Sequence, residues 1–307
     1  MKDIDILVSE VGPRDGLQSI DTIMPTARKL QWIEAQVDAG FREIEVGSFV
    51  PPKLLPQLAD TPEVVTEAKK IPGLIVAVLV PNLKGAENAV KTGAHKLTIP
   101  FSMSETHSLK NLRKTHDQMF VEIKNIRDLL NTLDPDQRPH FEVSLSTAFG
   151  CTLEGKVSED YVALCAEKVM DLGADEVGLS DTTGYANPKQ LTRMVKQIKS
   201  IIGNECLTGV HLHNTRGLGL ANALAAIEVG ITTLDSSLGG IGGCPFAPGA
   251  SGNIVTEDLV FMLQAMGLKT GVDIDKLLMV RTILSDALPN ESLYGFTPDA
   301  GLPLGFE

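Results

Sequence analysis

The sequence predicts an α/β fold, a (β/α)8 TIM barrel with a helical C-terminal extension. Eight short runs rich in Val, Ile and Leu alternate with amphipathic stretches, the pattern of parallel strands joined by helices. Several helical stretches end in a glycine just before the next apolar run, as at Gly40, Gly93 and Gly173. A barrel of this kind takes roughly 250 residues. The 307-residue chain is therefore longer than the barrel alone, and the additional residues follow Ser237.

The predicted strands are the apolar runs, and helical stretches lie between and after them. In chain order the strands cover residues 4–11, 43–48, 74–80, 96–101, 141–146, 176–180, 208–213 and 232–236. The helices cover residues 25–39, 82–92, 107–133, 158–172, 188–202, 219–229, 256–266 and 273–288. The last two helices form the predicted extension.

The chain is predicted to be one domain. No Pro- or Ser-rich linker and no block of charge divides residues 1–307. We expect the barrel over about residues 1–240, and a Gly-rich loop with the C-terminal helices over about 239–307. The turn after the first strand, residues 12–16, lacks the GxGxxG pattern, which argues against a doubly wound dinucleotide-binding sheet.

Composition and charge exclude several classes of protein. The chain has 27 Lys and Arg against 39 Asp and Glu, and the net charge of −12 argues against nucleic-acid and membrane partners. No apolar run approaches the roughly 18 residues of a membrane helix, and the N-terminus shows no cleavable leader, so we expect a cytoplasmic protein. The 4 cysteines form no CxxC pair, so neither a zinc knuckle nor a disulfide framework is predicted.

Chemistry in such a barrel takes place at the C-terminal ends of the strands, so polar residues there are the candidates. The seventh predicted strand ends in His211-Leu212-His213. Alternate residues of a strand face the same side, so both imidazoles point to one face, as a divalent metal site requires. The alternative is a pair of ordinary polar residues, one in the barrel and one in a loop.

The first two strands supply an arginine and two carboxylates. The first strand ends in Arg14-Asp15, followed by Gln18. Asp15 is a candidate oxygen ligand and Arg14 a candidate for stabilising an oxyanion, with a local ion pair as the alternative. Glu45 lies inside the second strand, where a charge is costly unless it is paired. We expect Glu45 to bind Arg14 or the surroundings of the metal, unless it faces the outer helices.

Two further segments bring candidate residues to the same rim. The sixth strand runs into Asp181, which is either a site carboxylate or a cap for the following turn. The glycine-rich segment 239–253 indicates either backbone close to a ligand or a plain connector. Within it, Cys244 is a candidate acid/base group if its pKa is lowered. Asn253 is either a fourth metal ligand or part of a helix entry.

Motifs from about residue 8 to about residue 275 carry a family resemblance. They are 11–18 (VGPRDGLQ), 47–50 (GSFV), 81–85 (PNLKG), 150–151 (GC) with 154–156 (EGK), 211–213 (HLH), 242–245 (GGCP) and 249–253 (GASGN) with 256–259 (TEDL). Together they resemble the 3-hydroxy-3-methylglutaryl-CoA lyase family. That family is a branch of the metal-dependent barrel lyases related to isopropylmalate and homocitrate synthases.

The resemblance implies a set of site residues around a divalent metal, Mg²⁺ or Mn²⁺. The implied metal ligands are Asp15, His211, His213 and Asn253. The implied catalytic residues are Arg14, which would stabilise an enolate, His211 and Cys244, which would move protons, and the supporting carboxylates Asp181 and Glu45. The implied substrate-binding residues are Gln18, Ser48, Thr182 and Lys84.

The implied activity is retro-Claisen cleavage of 3-hydroxy-3-methylglutaryl-CoA to acetyl-CoA and acetoacetate, a reaction of leucine degradation. The resemblance also implies a homodimer. Residues 214–217 (NTRG) depart from the Asp-Thr-Tyr-Gly of this family. Two alternatives stay open: the same chemistry on a related 3-hydroxyacyl-CoA, such as a 3-substituted glutaryl-CoA or citramalyl-CoA, and a non-catalytic acyl-CoA-binding barrel. Leu17 in place of Glu argues against a synthase, and Ser180 in place of lysine against a biotin-dependent carboxyltransferase.

Overall fold

The computed structural model describes residues 3–242 and 252–306, in which eight parallel strands form a closed barrel. Neighbouring strands follow one another in the chain, and the first strand pairs with the last. The strands are β1 (Leu7–Glu10), β2 (Glu43–Ser48), β3 (Ile75–Leu79), β4 (Lys96–Ser102), β5 (His140–Ser146), β6 (Glu176–Asp181), β7 (Gly209–Leu212) and β8 (Thr233–Ser236). The predicted barrel is therefore confirmed, with all eight strands in the predicted order.

Helices cover the outside of the barrel and continue beyond its last strand. Over the described residues they are α1 (Thr26–Asp38), α2 (Thr61–Ala68), α3 (Leu83–Thr92), α4 (Glu105–Asn111), α5 (His116–Asn131), α6 (Glu159–Asp171), α7 (Pro188–Ile202), α8 (Gly219–Glu228), α9 (Thr256–Ala265), α10 (Ile274–Ala287) and α11 (Phe296–Ala300). The last three form the extension. None of the helices described here combines the length and the apolar character that crossing a bilayer requires.

Three helical regions differ from the prediction, and one of them is α11, which the sequence did not indicate. The stretch predicted as one helix over residues 107–133 forms α4 and α5, because Arg113 adopts a left-handed backbone conformation with φ of 58°. Thr115 then begins α5 through a capping box with Gln118. Helix α2 is absent from the prediction. It spans 8 residues, too few to show a clear apolar period.

The hydrophobic core lies between the strands and the helices, where side chains such as Trp32 and Phe141 are wholly buried. The inside of the barrel differs, because small polar side chains such as Ser9, Thr98 and Ser144 line it. Branched apolar residues usually fill the interior of such a barrel. The smaller residues of this chain leave a cavity of about 630 Å³ that opens at the C-terminal rim.

Near the N-terminal ends of the strands, buried charges form what we call the floor cluster: Lys96, Glu43, Glu142 and Glu176. Lys96 Nζ lies 2.7 Å from Glu142 Oε2, 3.5 Å from Glu43 Oε1 and 3.6 Å from Glu176 Oε2. Glu176 Oε2 also lies 3.0 Å from His140 Nε2. The floor cluster therefore pairs one ammonium with several carboxylates inside the barrel.

The C-terminal extension is tied to the first strand through Glu10, at the end of β1. The buried Glu10 carboxylate accepts a hydrogen bond from Thr256 Oγ1, at the start of α9, over 2.8 Å. Its other oxygen accepts hydrogen bonds from the amides of Gly12 and Leu238, both over 2.9 Å. One carboxylate thus joins β1, the segment after β8 and the first helix of the extension.

Candidate active site

A π-helical turn, Gly12–Gly16, follows β1 and places Arg14 and Asp15 at the C-terminal rim of the barrel. Position 12 requires glycine, because a Cβ there would lie 2.5 Å from Glu10 Oε1 and 2.8 Å from the Trp32 ring. Arg14 and Asp15 are both buried and both line the cavity. The close packing under this turn therefore directs the two side chains into the barrel mouth.

Two carboxylates hold the Arg14 guanidinium. Its Nε atom donates to Glu45 Oε2 on β2, and its Nη1 atom donates to Asp15 Oδ1. Burial lowers the pKa of Arg14, but these carboxylates outweigh it and hold that pKa above its ordinary value. A guanidinium has five N–H donors, so this one keeps donors for a ligand in the cavity.

Four residues form what we call the rim cluster: Asp15, His211, His213 and Asn253. One ligand atom each from Asp15 and the two histidines lies within 4.8 Å of the others. Asp15 Oδ2 is 3.9 Å from His211 Nε2 and 3.8 Å from His213 Nε2, and the two Nε2 atoms are 3.0 Å apart. Asn253 Nδ2 donates to Asp15 Oδ2 over 2.7 Å. The structure therefore brings the predicted metal ligands together.

The charge states of Asp15 and His213 suit metal binding. Burial raises the pKa of Asp15, but Arg14 and the two histidines outweigh it and hold that pKa well below its usual range. Burial lowers the pKa of His213, which favours the neutral imidazole. An ionised carboxylate and a neutral imidazole are the forms in which these side chains bind metals.

Several buried atoms at this rim have no hydrogen-bond partner among the described residues: Asn253 Oδ1, His213 Nδ1 and Glu45 Oε1. A buried polar atom left unpaired costs free energy, so such atoms point to a missing partner. Asn253 Oδ1, the Asp15 carboxylate and the imidazole nitrogens form a nitrogen and oxygen donor set. These residues fit a divalent metal ion.

Comparison with known proteins gives the family. The family model described as HMGL-like matches residues 5–284. The chain belongs to the HMGL-like family. The mitochondrial hydroxymethylglutaryl-CoA lyase of Homo sapiens is 39% identical to it over 283 residues, 92% of this chain and 86% of that protein. The hydroxymethylglutaryl-CoA lyase YngG of Bacillus subtilis is 37% identical over 295 residues, 95% of this chain and 97% of that protein.

A solved structure of a family member agrees with the fold. The HMG-CoA lyase from Acinetobacter baumannii, in complex with coenzyme A and 3-methylmalate, superposes on the chain with a TM-score of 0.91. The two are 43% identical, and the match covers 98% of this chain and 97% of that one. The resemblance predicted from the motifs is confirmed.

Among the other predicted site residues, two lie in the cavity of this HMGL-like barrel. Gln18 lines the cavity, and its Nε2 atom donates to Asp15 Oδ1 over 2.7 Å. Thr182 also lines the cavity, and its hydroxyl accepts a hydrogen bond from the Thr147 amide over 2.9 Å. Gln18 thus supports the Asp15 carboxylate, and Thr182 fixes the exit of β5.

Asp181 is not among the residues that line the cavity, and its catalytic role stays a prediction. Its two oxygens accept hydrogen bonds from the amides of Tyr185 and Ala186, over 2.8 and 3.1 Å. Burial raises the pKa of Asp181 to about 6, against the lowering effect of these amides. Asp181 therefore caps the turn after β6, the alternative that the sequence left open.

Two predicted substrate-binding residues also lie away from the cavity wall. The buried Ser48 hydroxyl accepts a hydrogen bond from the Val50 amide over 3.2 Å, so it stabilises the exit of β2. Lys84 lies in the first turn of α3, where its exposed ammonium pairs with Glu87 over 2.8 Å. Neither residue is among those that line the cavity, and their contacts with a substrate stay predictions.

Cys244 lies outside the described residues. The residues on either side of that segment, Gly242 and Gly252, are in close backbone contact, since a Cβ at Gly252 would lie 1.7 Å from the Gly242 carbonyl oxygen. Asn253 follows directly, and residue 253 forms an antiparallel bridge with His213. The backbone next to the segment therefore places Asn253 in the rim cluster.

Sequence reasoning missed Asp235, one of the residues that line the cavity. Asp235, on β8, has its Oδ2 atom 3.0 Å from His211 Nδ1. The available signal was a carboxylate inside an apolar strand, next in order to the strand of the histidines. His107, on α4, lines the cavity, and its Nδ1 atom lies 3.0 Å from Ser102 Oγ. Its only sequence signal was its place after the fourth strand.

Proposed function

We propose that this carbon–carbon lyase cleaves 3-hydroxy-3-methylglutaryl-CoA to acetyl-CoA and acetoacetate with a divalent metal, Mg²⁺ or Mn²⁺. The observation that carries the proposal is the joint position of the rim cluster and the Arg14 guanidinium at the mouth of one cavity. Full-length similarity to named hydroxymethylglutaryl-CoA lyases supports the substrate.

The reaction makes three demands on the site. The C3 hydroxyl loses its proton, the C2–C3 bond breaks, and its electron pair moves into the thioester to give an enolate. The C3 carbon becomes the ketone of acetoacetate, and a proton then adds to C2 to give acetyl-CoA. When bound by Asp15, His211, His213 and Asn253, the metal would supply a Lewis acid that lowers the pKa of the hydroxyl.

Arg14 meets the demand for enolate stabilisation. Its free N–H donors face the cavity, while Glu45 and Asp15 fix the guanidinium plane. Donors already in place need no rearrangement when negative charge develops on the thioester oxygen. A permanent positive charge at this point also favours an anionic acyl-CoA in a protein whose net charge is −12.

His211 and Cys244 are the proposed proton carriers. His211 Nε2 faces Asp15 and His213 at the cavity, so it can take the proton of the C3 hydroxyl only while it is not bound to the metal. Cys244 belongs to the glycine-rich segment that leads into Asn253, so we assign it the protonation of C2. In a Cys244→Ala variant we expect turnover to fall while metal affinity stays unchanged; unchanged turnover would contradict this role.

The proposed function is tested by product analysis. Metal-stripped protein is incubated with 3-hydroxy-3-methylglutaryl-CoA, with and without Mn²⁺, and the products are measured by mass spectrometry. We expect metal-dependent, stoichiometric release of acetyl-CoA and acetoacetate. The matched control is an Asp15→Asn variant, which keeps the shape of the side chain and removes its charge. Metal-independent release, or none, would overturn the proposal.

One observation favours a second substrate class. The Acinetobacter baumannii relative was solved in complex with coenzyme A and 3-methylmalate, a branched hydroxydicarboxylate. We therefore propose, as the second candidate, the same cleavage of a related 3-hydroxyacyl-CoA such as citramalyl-CoA. Faster turnover of citramalyl-CoA than of 3-hydroxy-3-methylglutaryl-CoA in the same assay would support this second candidate.

We also propose that the protein is a cytoplasmic homodimer. Exposed apolar side chains on and near the extension support an interface there: Met279, Tyr294 and Phe296 are 63%, 50% and 80% exposed. Light scattering coupled to size-exclusion chromatography tests this assembly. A mass of one chain, about 33 kDa, would contradict it.

A further inference from the structure

Asp235 lies beside His211 on the neighbouring strand of the barrel. Strands β7 and β8 pair in parallel with His211 opposite Asp235. Asp235 Oδ2 lies 3.0 Å from His211 Nδ1, and both side chains line the cavity. Because the strand register itself brings the two side chains together, the contact belongs to the rigid barrel.

This contact decides which nitrogen of His211 carries a proton. A carboxylate oxygen accepts hydrogen bonds, so Nδ1 of His211 must donate the proton between them. In a neutral imidazole the lone pair then lies on Nε2. That atom is 3.0 Å from His213 Nε2 and 3.9 Å from Asp15 Oδ2. The lone pair therefore points into the rim cluster.

His213 has no equivalent support. Its Nδ1 atom is buried and has no hydrogen-bond partner within the described part of the chain. The two histidines of the rim cluster are thus unequal, since a side chain on a neighbouring strand orients only His211. A fixed ligand loses less freedom when a metal binds, so the orienting group contributes to affinity.

We propose that Asp235 is a positioning residue that fixes His211 in its Nδ1–H form and so presents Nε2 to the divalent cation. The inference rests on the metal site of the proposed function and is independent of the acyl-CoA assigned to it. Asp235 acts through His211 and needs no contact with the substrate.

Glu142 provides a matched control. It is a second carboxylate that points into the barrel and lines the same cavity, but its partner is the Lys96 ammonium over 2.7 Å. If carboxylates in the barrel attracted the cation through their charge alone, removal of either charge would weaken binding. If Asp235 acts by orienting an imidazole, only its removal weakens binding.

The experiment measures the affinity of the metal-stripped protein for Mn²⁺ by isothermal titration calorimetry. We expect Asp235→Ala to weaken binding by about 10- to 100-fold, the usual effect of removing a carboxylate behind a histidine ligand. Asp235→Asn, whose amide oxygen still accepts from Nδ1, should lose about threefold, and Glu142→Gln should stay within about twofold of the parent. Equal losses in Asp235→Ala and Glu142→Gln would overturn the proposal.

A second readout follows the proton itself. In metal-free protein labelled with ¹⁵N-histidine, the His211 signals, assigned by their loss in His211→Gln, should show the Nδ1–H form. Asp235→Asn should retain that form, and Asp235→Ala should lose it. An unchanged form in Asp235→Ala would contradict the assignment, as would a parent that already carries the proton on Nε2.

Circular dichroism establishes that each variant folds. If Asp235→Ala does not fold, Asp235→Asn decides, because loss of the Nδ1–H form in that variant with unchanged Mn²⁺ affinity would then overturn the proposal. A protein that does not cleave 3-hydroxy-3-methylglutaryl-CoA, yet loses Mn²⁺ affinity on removal of Asp235, would refute the proposed substrate and leave this inference standing.

Discussion

The two ends of the barrel interior both hold buried charges, but they differ in how completely these charges are paired. At the floor, the Lys96 ammonium lies among the carboxylates of Glu43, Glu142 and Glu176. At the rim, Asn253 Oδ1 and His213 Nδ1 are buried without a hydrogen-bond partner among the described residues. In the described part of the chain, no side-chain atom of the floor cluster is buried without a hydrogen-bond partner.

The difference teaches where to look for function in such a barrel. Charges that satisfy one another inside the protein contribute to the fold, and their removal exposes uncompensated partners. Polar atoms that are buried and unpaired beside a cavity point to a ligand, because no protein partner offsets the cost of their desolvation. We therefore expect substitutions at the rim to affect activity and substitutions at the floor to affect stability.

The largest effect should come from His213→Ala in the rim cluster. Because His213 Nε2 faces Asp15 and His211, its loss removes a proposed metal ligand. Mn²⁺ affinity and turnover should fall together by more than about 100-fold, beyond the usual effect of a supporting residue. The thermal midpoint should hardly change. A variant that keeps its metal, or that unfolds at a much lower temperature, would break the contrast between rim and floor.

Arg14→Lys should have the next largest effect. Lysine keeps the charge but loses the planar set of donors that now bonds Glu45 and faces the cavity. We expect kcat to fall by on the order of 100-fold with Mn²⁺ affinity retained, because the donors to the enolate are lost. Steady-state kinetics at saturating metal measure this, and a change confined to KM would argue against enolate stabilisation.

Lys96→Met tests the floor. The substitution leaves the carboxylates of Glu43, Glu142 and Glu176 without their cation, and the free energy of unfolding should fall by about 3–5 kcal/mol. Urea denaturation measures the loss. Mn²⁺ affinity of the folded variant should match the parent's. A parent-like stability would show that the floor charges do not depend on one another.

Glu142→Gln should alter the pH dependence of stability. Burial raises the pKa of Glu142 above its ordinary value of 4.5, despite Lys96. A raised pKa means that this group favours the folded state at low pH, and that its contribution is lost as pH rises through the raised value. Glutamine does not titrate, so unfolding curves of the variant between pH 5 and 8 should show a smaller loss. A slope equal to the parent's would contradict the assignment.

The smallest effect should come from Lys84→Ala. Its exposed pair with Glu87 is worth less than about 1 kcal/mol. Because Lys84 does not line the cavity, KM for the acyl-CoA should also stay unchanged. A clear rise in KM would support the prediction that Lys84 binds the substrate.

The fold was predictable because buried parallel strands require continuous apolar runs, and eight of these alternate with helical patterns. Helix α2 was not predictable, since its 8 residues are too few to show a clear period of apolar residues. The break at Arg113 was equally hidden, because a single left-handed residue between two helices leaves no composition signal. Such features depend on local backbone geometry and not on hydrophobic periodicity.

The rim cluster was predictable in part, because parallel strands bring their C-terminal ends to one edge and so place Asp15 beside His211 and His213. The direction in which each side chain points at that edge was not predictable. Asp181 also ends a strand, yet it turns to the amides of the following turn. The contact of Asp235 with His211 depends on strand register, which only the closed barrel reveals.

The contact between Gly242 and Gly252 has a consequence for protein engineering. Because the two ends of this segment are fixed side by side, its length has little effect on stability. Doubling the number of residues in it costs about 0.6 kcal/mol of closure entropy. A β-carbon at position 252 would instead meet a backbone oxygen that cannot move aside. The nine residues between these glycines can therefore be exchanged for those of other family members, or lengthened after Cys244, provided that Cys244 and the two glycines stay.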